Sequence, residues 1–408
     1  MHDDRRGQAK TTKRLAVSLL SVTLLGTVLV GCTTANGATT SADNRPRATQ
    51  GKLSTVRKAA TVTIQPAAGT PDANPGAIVA ASVADGTISA VTLTSSTGTQ
   101  VTGQLSPDRH TWTAAEDLGY GKTYTWSGTA LGQDGRNVPI TGAFTTVTPA
   151  RQVNGRLNVT DGQTYGIGEP IALTFSGPVG DRAAVQRALT VTTSVPTTGS
   201  WAWLDDQTVH WRPENYYQPG TQVTVNAKLY GVALAPGVYG KSDVSASFTI
   251  GRSQIVQANT QTHRMVVITN GVQTADYPAS FGLDSDPGRV THSGTHVVMS
   301  RSQTVFMTNP TYHYFNFEVH WAVRISNNGE FIHSAPWSVP QQGKVNVSHG
   351  CVNLSETNAV AYYNSVLPGD PVEVTGSSVQ LGASDGDYYD WTMTWAQWQA
   401  ASALPGLS

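Results

Sequence analysis

The sequence predicts a mainly β protein in which two β-sandwiches precede a third, β-rich domain with one clear helix and a tryptophan-rich C-terminal extension. Only 13% of the 408 residues are charged, and Gly, Thr, Ser and Val are abundant, which favours strands and turns over long helices. Short runs of alternating polarity are separated by Gly, Pro, Asp and Asn, as is typical of antiparallel sheets. The chain is too long for one ordinary core, so several domains are expected.

Residues 1–31 predict a lipoprotein signal peptide. Basic residues between Arg5 and Arg14 precede an apolar run of 16 residues, Leu15 to Val30, which is shorter than the roughly 20 residues that a spanning helix needs. The ending Leu29-Val30-Gly31-Cys32 resembles a bacterial lipobox. This resemblance implies export, cleavage before Cys32 and a lipid anchor in the outer face of the cytoplasmic membrane; an ordinary signal peptide cut nearby is the alternative.

Residues 32–57 lack apolar periodicity and predict a solvated tether between the membrane and the first domain. Without residues 1–31 the chain carries 21 basic and 25 acidic residues, a net charge of −4. Nothing in this balance indicates nucleic acid as a partner.

Residues 58–148 and 149–250 predict two immunoglobulin-like sandwiches. Each contains a tryptophan, Trp112 or Trp211, that precedes a glycine by nine residues, and the two tryptophans are 99 residues apart. This spacing is about one immunoglobulin-like domain, so the second segment repeats the first. We expect both tryptophans in the cores rather than on the surface as carbohydrate platforms, and one short helix over Asp181–Leu189.

Residues 251–378 predict the third domain. Asn270-Gly271 is a strong hairpin signal, and strands are expected over Val290–Val298 and Gln303–Met307. Ser355 to Val366 predicts the one clear helix of this domain, with Ser355 as its N-cap.

Residues 379–408 predict a packing extension. Trp391, Trp395 and Trp398 occur close together, and the last two share a face at helical spacing. We expect this segment to lie against an immunoglobulin-like domain or the third domain; ligand stacking is the alternative.

The cysteine count directs attention to one thiol. Cys32 and Cys351 are the only cysteines, and lipidation of the first excludes an intramolecular disulfide. A lone thiol in an exported protein indicates a nucleophile, and Gly350 allows close backbone approach to it; a buried structural cysteine is the alternative. The amino terminus of the helix that follows is expected to favour a thiolate, near the limit of its reach. A nucleophile needs a nearby base, because a free cysteine has a pKa of about 8.5.

His333 is the predicted base, because strand pairing can bring it beside Cys351. Ser334 is predicted to orient its imidazole through its carbonyl or its hydroxyl. His349, two residues before Cys351, has either a direct or a structural role. The backbone amides of His349, Gly350 and Cys351 are the candidate donors to an oxyanion.

His333-Ser-Ala-Pro-Trp337 and Ser348-His-Gly-Cys-Val-Asn353 resemble the signature of L,D-transpeptidases with the YkuD catalytic domain, and the whole layout is similar to mycobacterial members. The resemblance implies attack on a peptidoglycan stem after its third residue, release of D-Ala, and a 3→3 cross-link. It also implies capture by carbapenems. No cofactor or metal is expected for this chain. Cys351 matches the nucleophile, His333 the acid/base, Ser334 its orienter, and Gly350 with Cys351 the oxyanion donors. The implied substrate-binding positions are Asn328, Gly329, Asn353, Met307, Tyr312, Phe315, Trp337 and Ser348.

The sequence departs from that family at several positions. As in the mycobacterial relatives, Asn353 stands where much of the wider superfamily has arginine. Phe315 occupies the place of a substrate-contacting tyrosine in a lid that is shorter than in those relatives. Gly231–Gly237 lacks the carboxylates of a calcium site found in relatives. His292 and His296 have metal-like spacing, but residues four apart on a strand lie about 13 Å apart, so no zinc is expected there.

Two other functions fit these residues. The same cysteine and histidine can hydrolyse stems, as a carboxypeptidase or endopeptidase, if water reaches the thioester before an amine. A wall-binding scaffold with an incidental thiol is the second alternative.

Overall fold

A computed structural model of the chain describes residues 57–386 and 388–404. The predicted signal peptide, the lipidation of Cys32 and nearly all of the tether lie outside these residues. The described part is mainly β, as predicted, with seven sheets and three α-helices. No described helix is long and apolar enough to cross a membrane.

The first segment consists of a four-stranded sheet of order β1-β2-β5-β4 and a three-stranded sheet of order β3-β6-β7. Its strands are β1 Thr61–Gln65, β2 Ala80–Ala84, β3 Gly86–Ser95, β4 Gly103–Leu105, β5 Thr111–Ala114, β6 Thr123–Gly132 and β7 Asn137–Thr145. Trp112 is 7% exposed and meets Trp126 edge to face at 5.3 Å. A Cβ on Gly103 would lie 1.9 Å from the Trp112 ring, so the neighbouring strand must carry glycine there.

The second segment contains three sheets, of order β10-β18-β15-β12, β13-β14-β11-β9 and β16-β17-β8. Its elements are β8 Arg151–Val153, β9 Gly155–Leu157, β10 Thr164–Tyr165, β11 Ile171–Phe175, α1 Arg182–Arg187, β12 Leu189–Thr193, β13 Gly199–Trp203, β14 Thr208–Pro213, β15 Gln222–Ala227, β16 Ala233–Ala235, β17 Val238–Gly240 and β18 Val244–Ile250. Trp211 is 6% exposed and covers Gly199 as Trp112 covers Gly103. The predicted core positions of both tryptophans, and the short helix, are confirmed.

The third segment packs a five-stranded sheet of order β21-β20-β19-β27-β22 near a four-stranded sheet of order β23-β24-β25-β26. Its strands are β19 Gln254–Asn259, β20 Arg264–Thr269, β21 Val272–Pro278, β22 Gly294–Val297, β23 Ser300–Asn309, β24 Tyr314–Arg324, β25 Phe331–Ser334, β26 Val352–Leu354 and β27 Pro371–Thr375. Helix α2, Glu356–Ser365, is capped by Ser355 as predicted, and the Asn270-Gly271 turn joins β20 to β21.

The strand predicted over Val290–Val298 is too long. Only Gly294–Val297 forms the strand, because the preceding residues place Thr291 against the Gly350 carbonyl oxygen and His292 against the Glu330 carboxylate. The predicted strand Gln303–Met307 forms part of the longer β23.

The C-terminal segment packs as an extension, with α3 spanning Trp395–Ala400. Trp391 and Trp398 donate to backbone carbonyls of the second segment at 2.7 and 2.9 Å. Asp385 accepts a hydrogen bond of 3.0 Å from Asn328 in the third segment. The extension therefore contacts both of the segments that the sequence offered as alternatives.

Candidate active site

The pairing of two parallel strands brings Cys351 and His333 to the same cavity. In β25 and β26, His333 pairs with Asn353, two residues after Cys351. Side chains two residues apart share a face of a strand, so the thiol and the imidazole open into the same cavity. This is the strand pairing that the sequence predicts for His333.

Burial keeps both groups neutral. It raises the pKa of Cys351 to about 12 and lowers the pKa of His333 to about 4. The thiol Sγ donates to the Gly329 carbonyl oxygen at 3.8 Å. The expectation that a helix amino terminus favours a thiolate is therefore wrong for this state: α2 begins at Glu356, beyond the reach of its dipole, and desolvation dominates.

The tautomer of His333 follows from one hydrogen bond. Its Nδ1 lies 2.8 Å from the Ser334 carbonyl oxygen, which can only accept, so Nδ1 carries the hydrogen. The neutral ring then has its lone pair on Nε2, as a general base requires. Of the two ways in which Ser334 was expected to orient the imidazole, the structure uses the carbonyl.

The hydroxyl of Ser348 fixes the conformation of the loop before Cys351. Ser348 Oγ donates to the Cys351 carbonyl oxygen at 2.6 Å and accepts from the Gly350 N–H at 3.3 Å. Gly350 has φ +111°, in a region that favours glycine. One of the three amides expected to face an oxyanion is therefore turned towards Ser348.

Two residues that sequence reasoning missed fix the backbone upstream of this loop. Arg289 donates to the carbonyl oxygens of Val347 and Ser348 at 2.7 and 3.3 Å. The buried Asn346 uses both polar atoms of its side chain, accepting from Phe281 N–H at 3.0 Å and donating to Asp284 at 2.8 Å. These partners lie about 60 residues away in the chain, so no local motif reveals them.

The cavity has a volume of about 350 Å³ and mostly apolar walls. The residues that line it are Met307, Tyr312, Tyr314, Phe317, Val319, His333, Trp337, Val347, Ser348, His349, Cys351 and Asn353. Five of the predicted substrate positions are among them: Met307, Tyr312, Trp337, Ser348 and Asn353.

Three other predicted substrate positions do not line the cavity. Phe315 is 63% exposed, and Tyr314 lines the cavity wall in its place. The reason is a shift of register between Met307 and Asn309, which pairs Asn309 with Tyr314. Asn328 points to Asp385 instead. Gly329 reaches the site only through its carbonyl oxygen.

The lid is the hairpin formed by β23 and β24. His349 is exposed and its ring lies 4.9 Å from that of Tyr312 and 5.4 Å from that of Tyr314. Phe317, on the same hairpin, meets Trp337 edge to face at 5.1 Å. His349 therefore contacts the lid, which favours the structural role of the two considered for it.

His292 and His296 surround a carboxylate. His292 Nδ1 lies 2.9 Å from Glu330 Oε1, and His296 Nδ1 lies 3.7 Å from Glu330 Oε2. The distance estimated from strand spacing is wrong, because His292 precedes β22 and the chain bends there; His296 Nε2 lies 2.9 Å from the His292 carbonyl oxygen. Among the described residues, no group of three or more His, Cys, Asp or Glu is arranged to hold a metal ion.

Two protein-family models match the chain. The model described as a bacterial Ig domain matches residues 70–233, which span parts of both predicted sandwiches. The model described as the L,D-transpeptidase catalytic domain matches residues 253–374 and so includes every residue of the cavity.

Relatives match over most of the chain. L,D-transpeptidase 5 of Mycobacterium tuberculosis is 45% identical over 98% of this chain and 87% of its own length. L,D-transpeptidase 2 of the same species is 39% identical over 80% of each chain. A solved structure of LD transpeptidase LdtMt1 in complex with imipenem is 35% identical, covers 56% of this chain and all of its own, and has a TM-score of 0.47.

Proposed function

The chain belongs to the L,D-transpeptidases, enzymes that act on peptidoglycan, and from this premise we propose that it forms 3→3 cross-links between stem peptides through a thioester on Cys351. The observation that carries the proposal is the pairing of β25 with β26, which brings His333 and Cys351 to one cavity. The proposed donor is a tetrapeptide stem that ends in D-Ala.

In the first half-reaction, Cys351 Sγ bonds to the carbonyl carbon of the third stem residue while His333 Nε2 takes the thiol proton. The carbonyl oxygen becomes an oxyanion that backbone N–H groups stabilise. The C–N bond then breaks, and the proton on His333 passes to the leaving amine of D-Ala. A neutral resting pair suits this sequence, because charge develops only when substrate is bound.

In the second half-reaction, the side-chain amine of another stem's third residue attacks the thioester carbonyl. His333 takes a proton from this amine, the C–S bond breaks, and His333 returns that proton to the leaving sulfur. Tyr314, Phe317, Val319 and Trp337 give the cavity mostly apolar walls, and an apolar surrounding of the thioester favours transfer to a bound amine over hydrolysis.

A product assay separates the proposal from its alternatives. Purified enzyme is given tetrapeptide stems with and without excess acceptor, and the products are resolved by mass. We expect a cross-linked dimer and free D-Ala. Trimmed monomer alone at saturating acceptor would indicate a hydrolase, and turnover unchanged by Cys351→Ala would indicate a scaffold with an incidental thiol.

The same thiol is the proposed site of covalent capture by carbapenems, whose strained β-lactam carbonyl is an activated acyl donor. Intact mass spectrometry is expected to show one added drug mass per chain, and none on Cys351→Ala. An adduct that survives this substitution would contradict the assignment.

We also propose that the protein is exported and anchored by a lipid on Cys32, with residues 58–148 and 149–250 as two spacer domains between the tether and a catalytic domain over 251–378. The family's action on the cell wall supports export. Replacement of Cys32 by Ala is expected to release the protein from membranes into the soluble fraction; unchanged membrane association would contradict the anchor.

A further inference from the structure

Thr291 lies behind the nucleophile, fully buried and outside the cavity lining. Its Oγ1 lies 2.9 Å from the Gly282 amide nitrogen and 2.8 Å from the Gly350 carbonyl oxygen. The amide can only donate and the carbonyl can only accept. The Thr291 hydroxyl therefore accepts from Gly282 and donates to Gly350, so both partners determine its orientation.

The Gly350 carbonyl belongs to the same peptide unit as the Cys351 N–H. A trans peptide is planar, with its oxygen and its hydrogen on opposite sides. A carbonyl held against Thr291 in the interior turns the Cys351 N–H away from Thr291, towards the cavity that Cys351 lines. The Gly350 N–H, in contrast, already donates to Ser348.

This peptide unit needs a constraint, because it follows a glycine. Gly350 has φ +111°, and a residue without a Cβ meets little steric resistance when the peptide that follows it rotates. Rotation would present the carbonyl oxygen to the cavity and repel a developing oxyanion. The hydrogen bond from Thr291 opposes that rotation.

We infer that Thr291 is a positioning residue that holds the Gly350–Cys351 peptide with its N–H directed at the oxyanion of the acylation step. This inference rests on the proposed function. It assigns to Thr291 an effect on transition-state stabilisation and none on the reactivity of the sulfur itself.

The test compares Thr291→Val, which has nearly the same shape without a hydroxyl, with Thr291→Ser, which retains the hydroxyl. Acylation of Cys351 is timed with a tetrapeptide stem and with imipenem. Alkylation of the same thiol by iodoacetamide is timed in parallel, because this displacement expels iodide and forms no oxyanion. Cooperative thermal unfolding verifies that each variant is folded, and Thr291→Ala replaces the valine variant if the latter does not fold.

For Thr291→Val we expect acylation about 10²-fold slower, expressed in kcat rather than KM, and alkylation within about threefold of the unsubstituted enzyme. Thr291→Ser is expected to restore most of the acylation rate. Equal losses in acylation and alkylation, or no loss in either, would overturn the inference alone. Absence of acylation in the unsubstituted enzyme would overturn the proposed function and the inference together.

Discussion

At the scale of single residues, the site is organised by desolvation. Burial raises the pKa of Cys351 and lowers that of His333, so both shifts favour the neutral thiol and the neutral imidazole. A pair in this state does not lose its nucleophile to side reactions of a free thiolate. It depends on His333 to remove the proton when the acyl donor arrives.

The pH dependence of acylation distinguishes this mechanism from attack by a preformed thiolate. His333 accepts a proton only above its own pKa, so kcat/KM for acylation should rise through about pH 4 and stay level from there past pH 8.5. In His333→Ala, the rate should instead increase about tenfold per pH unit towards the thiol pKa. Stopped-flow acylation across this range measures both profiles, and an inflection near 8.5 in the unsubstituted enzyme would contradict the account.

The sequence predicts Cys351 and His333 because their chemistry and their local motif are both visible in it. It does not predict Thr291, Arg289 or Asn346, whose partners are hydrogen-bonding backbone groups about 60 residues away. It also misplaces the aromatic wall residue: one shift of register in the lid hairpin exchanges Phe315 for Tyr314.

At the scale of elements, the lid hairpin and the cysteine loop meet through aromatic rings. His349 bridges them by contacting Tyr312 and Tyr314, and Arg289 lies 5.9 Å from the Tyr312 ring while it holds the loop backbone. The position of the lid is therefore coupled to the loop that carries the thiol.

Replacing His349 should affect substrate binding more than chemistry. His349→Ala removes the ring contacts with the lid and leaves His333 in place, so we expect KM to rise severalfold with kcat within about threefold of the original. His333→Ala, the matched comparison, should lower kcat by about 10² or more. Steady-state kinetics with tetrapeptide stems measures both; a kcat loss in His349→Ala as large as that in His333→Ala would show a direct role for His349.

A second element-scale feature is Glu330, 3% exposed beneath Gly350. Burial by itself raises the pKa of Glu330, but its hydrogen bonds with His292 and the proximity of His296 outweigh burial and lower it. The hydrogen bond to Glu330 raises the pKa of His292. The contribution of Glu330 to the stability of the fold is therefore lost at low pH, whereas that of His292 is lost at high pH.

The contribution of Glu330 to stability should peak in mildly acidic solution. The stabilisation that Glu330 contributes is present above the ordinary glutamate pKa of 4.5 and is lost as pH falls through the lowered pKa of Glu330. The stabilisation that His292 contributes is present below the ordinary histidine pKa of 6.5 and is lost as pH rises through the raised pKa of His292. The difference in the free energy of unfolding between the unsubstituted protein and Glu330→Gln should be largest between pH 4.5 and pH 6.5 and smaller at lower and at higher pH. Chemical denaturation across pH measures it, and a difference independent of pH would contradict the pairing.

At the scale of the whole molecule, the C-terminal extension joins the second and third segments. Arg212, 2% exposed, lies 4.7, 5.3 and 4.8 Å from the rings of Trp391, Trp395 and Trp398 and donates to the Met393 carbonyl oxygen. The sequence predicts a packed tail from its tryptophans. It does not predict the guanidinium at their centre, because Arg212 lies in a distant strand.

Removing this guanidinium should loosen the tail and spare the chemistry. Arg212→Ala leaves a cavity among three indole rings, and we expect a loss of about 3 kcal/mol in the free energy of unfolding. Arg182→Ala removes a half-buried guanidinium beside one ring, that of Trp203, and should cost about 1 kcal/mol or less. Denaturant titration with acylation assays on folded protein measures both effects; equal losses for the two variants would contradict the central position of Arg212.

The coarse architecture follows from periodicity and turn residues, which is why the β class, the two core tryptophans and helix α2 are predictable. The pairing of strands that are distant in the sequence cannot be predicted in this way. Strand β27 lies parallel to β19, between β19 and β22, although more than a hundred residues separate β19 from β27, and no local pattern specifies that pairing.

The most direct test of the central claim is rapid-quench intact mass spectrometry of the enzyme mixed with a tetrapeptide stem. The account predicts that the chain gains the mass of the stem without its terminal D-Ala, on Cys351, and that this species disappears as cross-linked dimer forms when acceptor is added. Dimer formation without the covalent species, or the same species in Cys351→Ala, would contradict acyl transfer through this thiol.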